Sequence, residues 1–449
     1  METENKMGVL PVKRLIVSMS LPMMISMLVQ ALYNIVDSMF VSRISEDALT
    51  AVTLAFPLQM MIVSVGSGTS VGVNAILSRA LGEKNQERAD KAAANGLFLA
   101  ILSYIVFIFI GLFLAGPFIA SQSDSEVITT YGTTYLSICC IVSIGAFLQM
   151  MSERLLQSTG RTLLSMISQI TGAVFNIIFD PLLIFGLCGF PKLGVAGAAY
   201  ATVLGQCVAA VLSLILNVLF NKEINIKLSY MLHPSLNIIG RIYHVGVPSI
   251  LMMAIGSVMS YSMNKILGVF SSTAVAVFGA YFKLQSFIFM PVFGLNNGLI
   301  PVLAYNYGAR NKDRIKEAIR FAMILAMSIM LIGTLVFQIF PDALLGIFKA
   351  EGEMLRIGRT ALRIISISFP VAGLCIVMGS TFQAFAKATY SLTVSVGRQL
   401  VVLIPVAWLL SLTGAVTNVW WAFPISECMS LIISTFFYRR INRTIIDKL

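Results

Sequence analysis

Residues 30–40 read QALYNIVDSMF, an apolar helix-forming stretch that carries one acid, Asp37. Leu, Met, Val and Ile dominate on either side, so the carboxylate lies in a segment suited to lipid. Ser26, Gln30, Tyr33, Asn34 and Asp37 recur at intervals of one, three or four residues, and on a helix they form one polar stripe. The pattern predicts a spanning helix whose polar side faces protein or water.

The whole chain has the same character. Of its 449 residues 57% are hydrophobic and 11% charged, with a mean hydropathy of +0.88, whereas a soluble domain carries about 25% charged residues. A bilayer crossing needs roughly 20 apolar residues. Apolar runs predict twelve spans near 15–42, 48–78, 93–120, 130–152, 162–187, 194–220, 241–269, 274–305, 318–345, 358–382, 389–411 and 416–437. The fold class expected is an all-α membrane protein with twelve transmembrane helices and no soluble domain. The first apolar run is too long for a signal-peptide core and lacks a small-residue cleavage site, so it is expected to remain as span 1.

The net charge of +11 is a matter of topology. Most Lys and Arg fall in alternate connections, as in Arg79–Lys91, Arg310–Arg320 and Arg439–Lys448. The positive-inside rule then places both termini in the cytoplasm of a multi-pass cell-membrane protein, and the charge implies no nucleic-acid partner. The six cysteines lie in apolar surroundings without CxxC spacing and read as packing residues.

A constant offset of 226 residues aligns the two halves of the chain. It pairs Pro22 with Pro248, Gln59 with Gln285, Gly72 with Gly298, Gly82 with Gly308, Asn85 with Asn311, Arg88 with Arg314, Gln157 with Gln383 and Ser165 with Ser391. Six spans per half is an even number, so the halves enter from the same side and are parallel repeats. The domains expected are an N-lobe at 1–220, a cytoplasmic linker at 221–240 and a C-lobe at 241–449. Repeats of this kind in secondary transporters favour alternating access around a central site.

Span 5 bears a second acid in a similar stripe: Gln169, Ala173, Asn176 and Asp180, followed by Pro181, where a helix break is expected. An aspartate near the bilayer centre costs roughly 2.5–3.5 kcal/mol, and such acids mark ion paths or proton relays. Asp37, Asn176 and Asp180 offer oxygen ligands suited to a proton or to Na⁺. The competing reading is that the acids pair with neighbours to fix helix packing.

The second half has Met263 where the first has Asp37. It offers Ser260, Asn264 and Lys265 on span 7, Lys283 and Gln285 on span 8, and Arg398 on span 11. With Gln30, Asn34 and Gln59, the residues Ser260, Met263, Asn264, Lys283 and Gln285 are candidates to line a substrate cavity; Lys265, Lys283 and Arg398 read equally as cavity-lining residues and as snorkelling or paired cations. Glu153, next to Arg154, reads as a helix-end ion pair, and Glu427 has no assigned role. Small residues at Gly194, Ala198, Ala201 and Gly205 should let span 6 approach span 5 and bring Thr202 near it. GTSVG at 68–72 imitates a nucleophile elbow but falls within a span, far in sequence from His233 and His244, so no enzyme is expected. No metal cluster or cofactor motif appears.

The chain resembles the multidrug and toxic compound extrusion (MATE) family over nearly its whole length. The likeness rests on LP-x7-Q-x6-D in span 1 (Leu21, Pro22, Gln30, Asp37), on GTSVGVNAILSRALGEKN after Ser67, on GLNNGLIPVLAYNYGARN, and on N-x3-DP in span 5 (Asn176, Asp180, Pro181). It implies a two-lobe exporter that exchanges cationic or amphipathic drugs for H⁺ or Na⁺; a monomer without a cofactor is expected. It also implies an N-lobe ion site at Asp37, Asn176 and Asp180, joined by Thr202 and Tyr135. Another branch of the family has acids on spans 7 and 10, where this chain has Gly256 and no acid. A flippase for lipid-linked precursors shares the two-lobe plan and remains the alternative, since Lys265, Lys283 and Arg398 could serve a pyrophosphate.

Overall fold

The structure is a computed structural model, and residues 5–449 are described. Among the described residues it is predominantly helical, with short turns and connections and without strands. Ten helices are long and apolar enough to cross a membrane, and two bent helix pairs bring the number to twelve. Spans 1 to 3 are Val12–Ser42, Glu46–Gly82 and Gln86–Phe113. Span 4 is the pair Glu126–Ile141 and Ile144–Ser158, bent by 46°. Spans 5 to 9 are Thr162–Phe185, Val195–Phe220, Leu236–Gly268, Ser272–Gly308 and Lys312–Ile339. Span 10 is the pair Gly352–Ser366 and Phe369–Ala384, bent by 48°, span 11 is Ala388–Ser411, and span 12 is Ala422–Thr444.

The repeat is visible in the backbone as well as in the sequence. Ser45 caps span 2 by accepting from the Ala48 N–H at 3.0 Å, and Ser271, 226 residues on, caps span 8 through Ala274 at 3.1 Å. Asn85 and Asn311 cap spans 3 and 9 through Arg88 and Arg314. These side chains satisfy N–H groups that a helix start leaves free. Lys84 and Arg310 both adopt left-handed φ, 56° and 55°. The bends in spans 4 and 10 fall within one residue of the same register, and at each a serine hydroxyl, Ser143 or Ser368, donates back to a carbonyl three residues earlier at 2.7 Å. That local bond competes with the helix ladder and favours bending.

The chain forms two compact units. One holds Ile25–Ile250 together with Asn5 and Lys6; the other holds Met7–Met24 and Leu251–Leu449. The long helices of spans 1 and 7 are therefore each divided between units at Met24 and Ile250. In the second unit Arg314 donates to the carbonyls of Met7 and Leu10 at 3.0 and 2.8 Å, fixing the segment before span 1. Gly294 and Gly298 of span 8 lie so close to Met24 and Ser20 that a Cβ at either would fall within 2.7 Å of their atoms. In the first unit the 221–240 connection is tied to span 3: Asp90 accepts from the Asn225 N–H at 2.8 Å and Asn95 from the Ser235 N–H at 3.0 Å.

Within lipid, helices associate through close packing and polar contacts rather than through exclusion of water. Spans 5 and 6 illustrate it. A Cβ on Gly172 would meet the Gly205 carbonyl at 3.0 Å, and one on Gly197 would meet the Leu183 carbonyl at 2.4 Å. Gly205 serves the close approach as expected, its own Cβ position 2.9 Å from the Gly172 carbonyl. Gly194 instead caps the helix at φ 58°, with nothing near its Cβ position, and Gly197 makes the tight contact.

Candidate functional site

In the first unit the helix crossing of spans 5 and 6 sets the polar groups of three elements together. Span 5 runs unbroken through Pro181, so the expected interruption at Asp180 is absent; the proline forgoes one donor without ending the helix. Asp180 is fully buried, Asn176 nearly so, and Thr202 of span 6 lies alongside. With its amide oriented to satisfy both neighbours, Asn176 donates from Nδ2 to Asp180 Oδ2 at 3.2 Å and accepts at Oδ1 from the Thr202 N–H at 3.2 Å. Asp37 of span 1 approaches Asp180 to within hydrogen-bonding reach. One oxygen of each acid, Oδ1, is buried without a donor.

Tyr135 of span 4 is buried beside this group, and Gln59 of span 2 donates to its hydroxyl at 3.5 Å. Tyr33, one turn before Asp37 on the span 1 stripe, feels the charge of both acids. The i, i+4 spacing to Asp37 was the available sign of its role. Gln30 and Asn34, on the same stripe, are exposed.

A second buried carboxylate, Glu153 of span 4, packs against the start of span 5. Glu153 is held by Gln149 at 3.0 Å, Ser168 at 3.1 Å and Gln169 at 2.8 Å. The helix-end pairing with Arg154 read from the sequence is thus replaced by a buried amide and hydroxyl cradle. Gln169, first residue of the span 5 stripe, was the sequence feature that pointed to it.

The second unit builds its polar cluster differently. Span 11 contains a π-helical stretch, Gly397–Leu403, a wider turn that often marks functional sites. From it Arg398 donates to Glu427 of span 12 at 2.7 Å. Tyr281 donates to Gln285 one turn on along span 8, and Tyr281 lies within the field of the Arg398–Glu427 pair. Glu427 Oε2 is buried without a donor. Glu427 thereby has a partner, and Arg398 is a paired cation. Ser260 is half-buried, Asn264 and Lys283 are exposed, and Met263 is fully buried. Lys265 reaches over the ring of Tyr261 at 5.7 Å.

Among the described residues no three His, Cys, Asp or Glu side chains gather as a metal-binding group. A sequence model of MatE matches residues 22–182 and again 248–409, two stretches whose starts are displaced by the same 226 residues as the internal repeat. The chain belongs to the MatE family. Members of this family are transporters rather than enzymes. The MatE chain is 26% identical to an FAD transporter of Shewanella oneidensis, over 96% of this chain and 95% of that one. It is 25% identical to the multidrug export protein MepA of Staphylococcus haemolyticus, over 96% and 94%. Its fold superposes with a TM-score of 0.92, at 25% identity and with all of each chain covered, on an outward-facing multidrug resistance MATE family transporter of the MOP superfamily. The twelve-helix fold with two parallel six-helix repeats is therefore that of a MATE transporter and a multi-pass membrane protein.

Proposed function

We propose that this MatE protein is a secondary antiporter that exports cationic or amphipathic small molecules in exchange for protons, through Asp37 and Asp180. The observation that carries the reading is the pair of neighbouring carboxyl groups, each with one buried oxygen lacking a donor. Two bare charges there would repel at close range in a medium of low dielectric. A proton shared between them relieves that repulsion, and its loss restores it. Asn176 and Thr202 hold Asp180 in place, while Tyr135 and Tyr33 bound the site. Ion and substrate couple because each favours a different state of the carrier or excludes the other.

Na⁺ at Asp37, Asn176 and Asp180 is the second coupling reading. Its oxygen set would be the two carboxylates and the Asn176 amide, whose oxygen can turn toward a hard cation. Both termini are assigned to the cytoplasm on the distribution of Lys and Arg, and the chain acts as a monomer in a cell membrane. No cofactor takes part.

The lipid-precursor flippase is less well supported than the sequence alone suggested, since Arg398 is neutralised by Glu427 and leaves Lys265 and Lys283 as the unneutralised cations of that set. The likeness to an FAD transporter supports a different second reading, export of a flavin dinucleotide.

The test is efflux from proteoliposomes loaded either with a fluorescent cationic dye or with FAD, under a proton gradient and a Na⁺ gradient imposed separately. Dye efflux driven by protons and lost in Asp37→Asn and Asp180→Asn supports the proposal. Efflux that follows the Na⁺ gradient, or that carries FAD alone, replaces its ion or its substrate; undiminished proton-driven efflux in both variants sinks it.

A further inference from the structure

We propose that a groove on the second unit, formed by spans 9, 10 and 12, is a specific binding site for one anionic phospholipid. The groove has a volume of about 660 Å³. Its wall is one face of span 9, where Lys316, Arg320, Met323, Met327 and Leu331 follow one another at helical spacing, opposed by Leu374 of span 10 and Tyr438 of span 12. Cations lie at one end only, and the rest is mostly apolar, with Ser328 the one hydroxyl on the span 9 wall.

The charges at that end are unequal. Lys312 and Lys316 both contact Asp447, at 3.2 and 2.8 Å, so the chain's own carboxylate answers them. Arg320, one turn deeper, is exposed and makes no ion pair among the described residues. It stands about 12 Å along span 9 from Lys312, at 1.5 Å per residue. A guanidinium at that depth, where the polar interface gives way to hydrocarbon, needs an anion, and its planar fork matches a phosphate in two-point contact.

Length supports the same occupant. From Arg320 to Leu331 the groove runs about 16 Å, close to half of a hydrocarbon core of roughly 30 Å. A lipid with its phosphate on Arg320 thus lays one acyl chain along Met323, Met327 and Leu331 and ends near the midplane. The methionines suit a flexible chain, being unbranched and polarizable. By the positive-inside rule this is the cytoplasmic leaflet, where anionic headgroups meet basic residues.

The test is native mass spectrometry of the full-length protein equilibrated with phosphatidylglycerol and phosphatidylcholine of matched acyl chains. Wild type should keep one phosphatidylglycerol per chain in preference to phosphatidylcholine. Arg320→Gln should reduce phosphatidylglycerol retention about fivefold, the worth of one cation near an anionic headgroup, and leave phosphatidylcholine unchanged. Met327→Trp, which fills the apolar part, should reduce retention of both. Equal retention of the two lipids by wild type, or an unaltered Arg320→Gln, overturns the site. So does an equal loss in Arg310→Gln, which would make the effect one of net charge.

Discussion

The polar clusters of the two halves occupy the same repeated scaffold and balance their charge in opposite ways. In the first half Asp37 and Asp180 face each other with no cation among the described residues beside them. In the second, Glu427 has a tethered cation, Arg398, 2.7 Å away. Gln59 and Gln285 hold equivalent positions in the repeat, yet Gln59 donates to a tyrosine on another span while Gln285 accepts from a tyrosine on its own. One backbone thus supports a site open to a mobile proton and a site already neutralised by its own side chain. The difference teaches that symmetry of helices does not carry symmetry of chemistry.

The sharpest way to break this contrast is Glu427→Gln. It strands Arg398 in a low-dielectric setting and should cost ~3–5 kcal/mol of stability, read as a fall in thermal unfolding temperature. Joint replacement with Arg398→Met and Glu427→Leu should return most of it; a double variant as unstable as the single one would show that the pair does more than neutralise itself.

Next in size, Asp180→Asn and Asp37→Asn should leave that unfolding temperature nearly unchanged while proton-driven efflux falls by about a hundredfold, the upper end of a 1–3 kcal/mol coupling. Loss of stability alongside transport would place the acids with the structural pairs.

Gly205→Ala comes third. Its new methyl would sit 2.9 Å from the Gly172 carbonyl, so spans 5 and 6 must part, at ~1–3 kcal/mol. Transport should fall with stability, because the same crossing sets Thr202 against Asn176. The mildest is Thr202→Val. Asn176 is held by the Thr202 backbone N–H, which valine keeps, so proton-driven efflux and yield should stay within about twofold of wild type; a larger loss, above the ~0.6 kcal/mol of one interhelical hydroxyl bond, would show that the hydroxyl itself holds the asparagine.

The sequence made the spans, the parallel repeat and the two acid stripes legible, because each is written in local periodicity. Asp37, Asn176 and Asp180 lie at helical intervals within single segments, and the small residues of span 6 announced the approach of Thr202. Pairing across segments was another matter. Arg398 and Glu427 lie on different spans, 29 residues apart, and no spacing rule joins them. Glu153 was misread because its true partners, Ser168 and Gln169, come from the next span while Arg154 is adjacent in sequence. The division of spans 1 and 7 between compact units was equally hidden, since a continuous apolar helix carries no mark of where its neighbours change.

Lys84 and Arg310 keep a cation where the backbone geometry favours glycine, at a strain of about 1 kcal/mol each. Folding alone selects against that choice, and the chain makes it in both copies. Insertion comes before folding, however, and while the nascent chain is being threaded, basic connections hold hairpins on their side of the bilayer. The two residues are thus a burden to the finished molecule and an aid to its birth. Lys84→Gly and Arg310→Gly together should relax the mature fold and yet deliver more chains upside down, as cysteine-accessibility mapping of the connections would record.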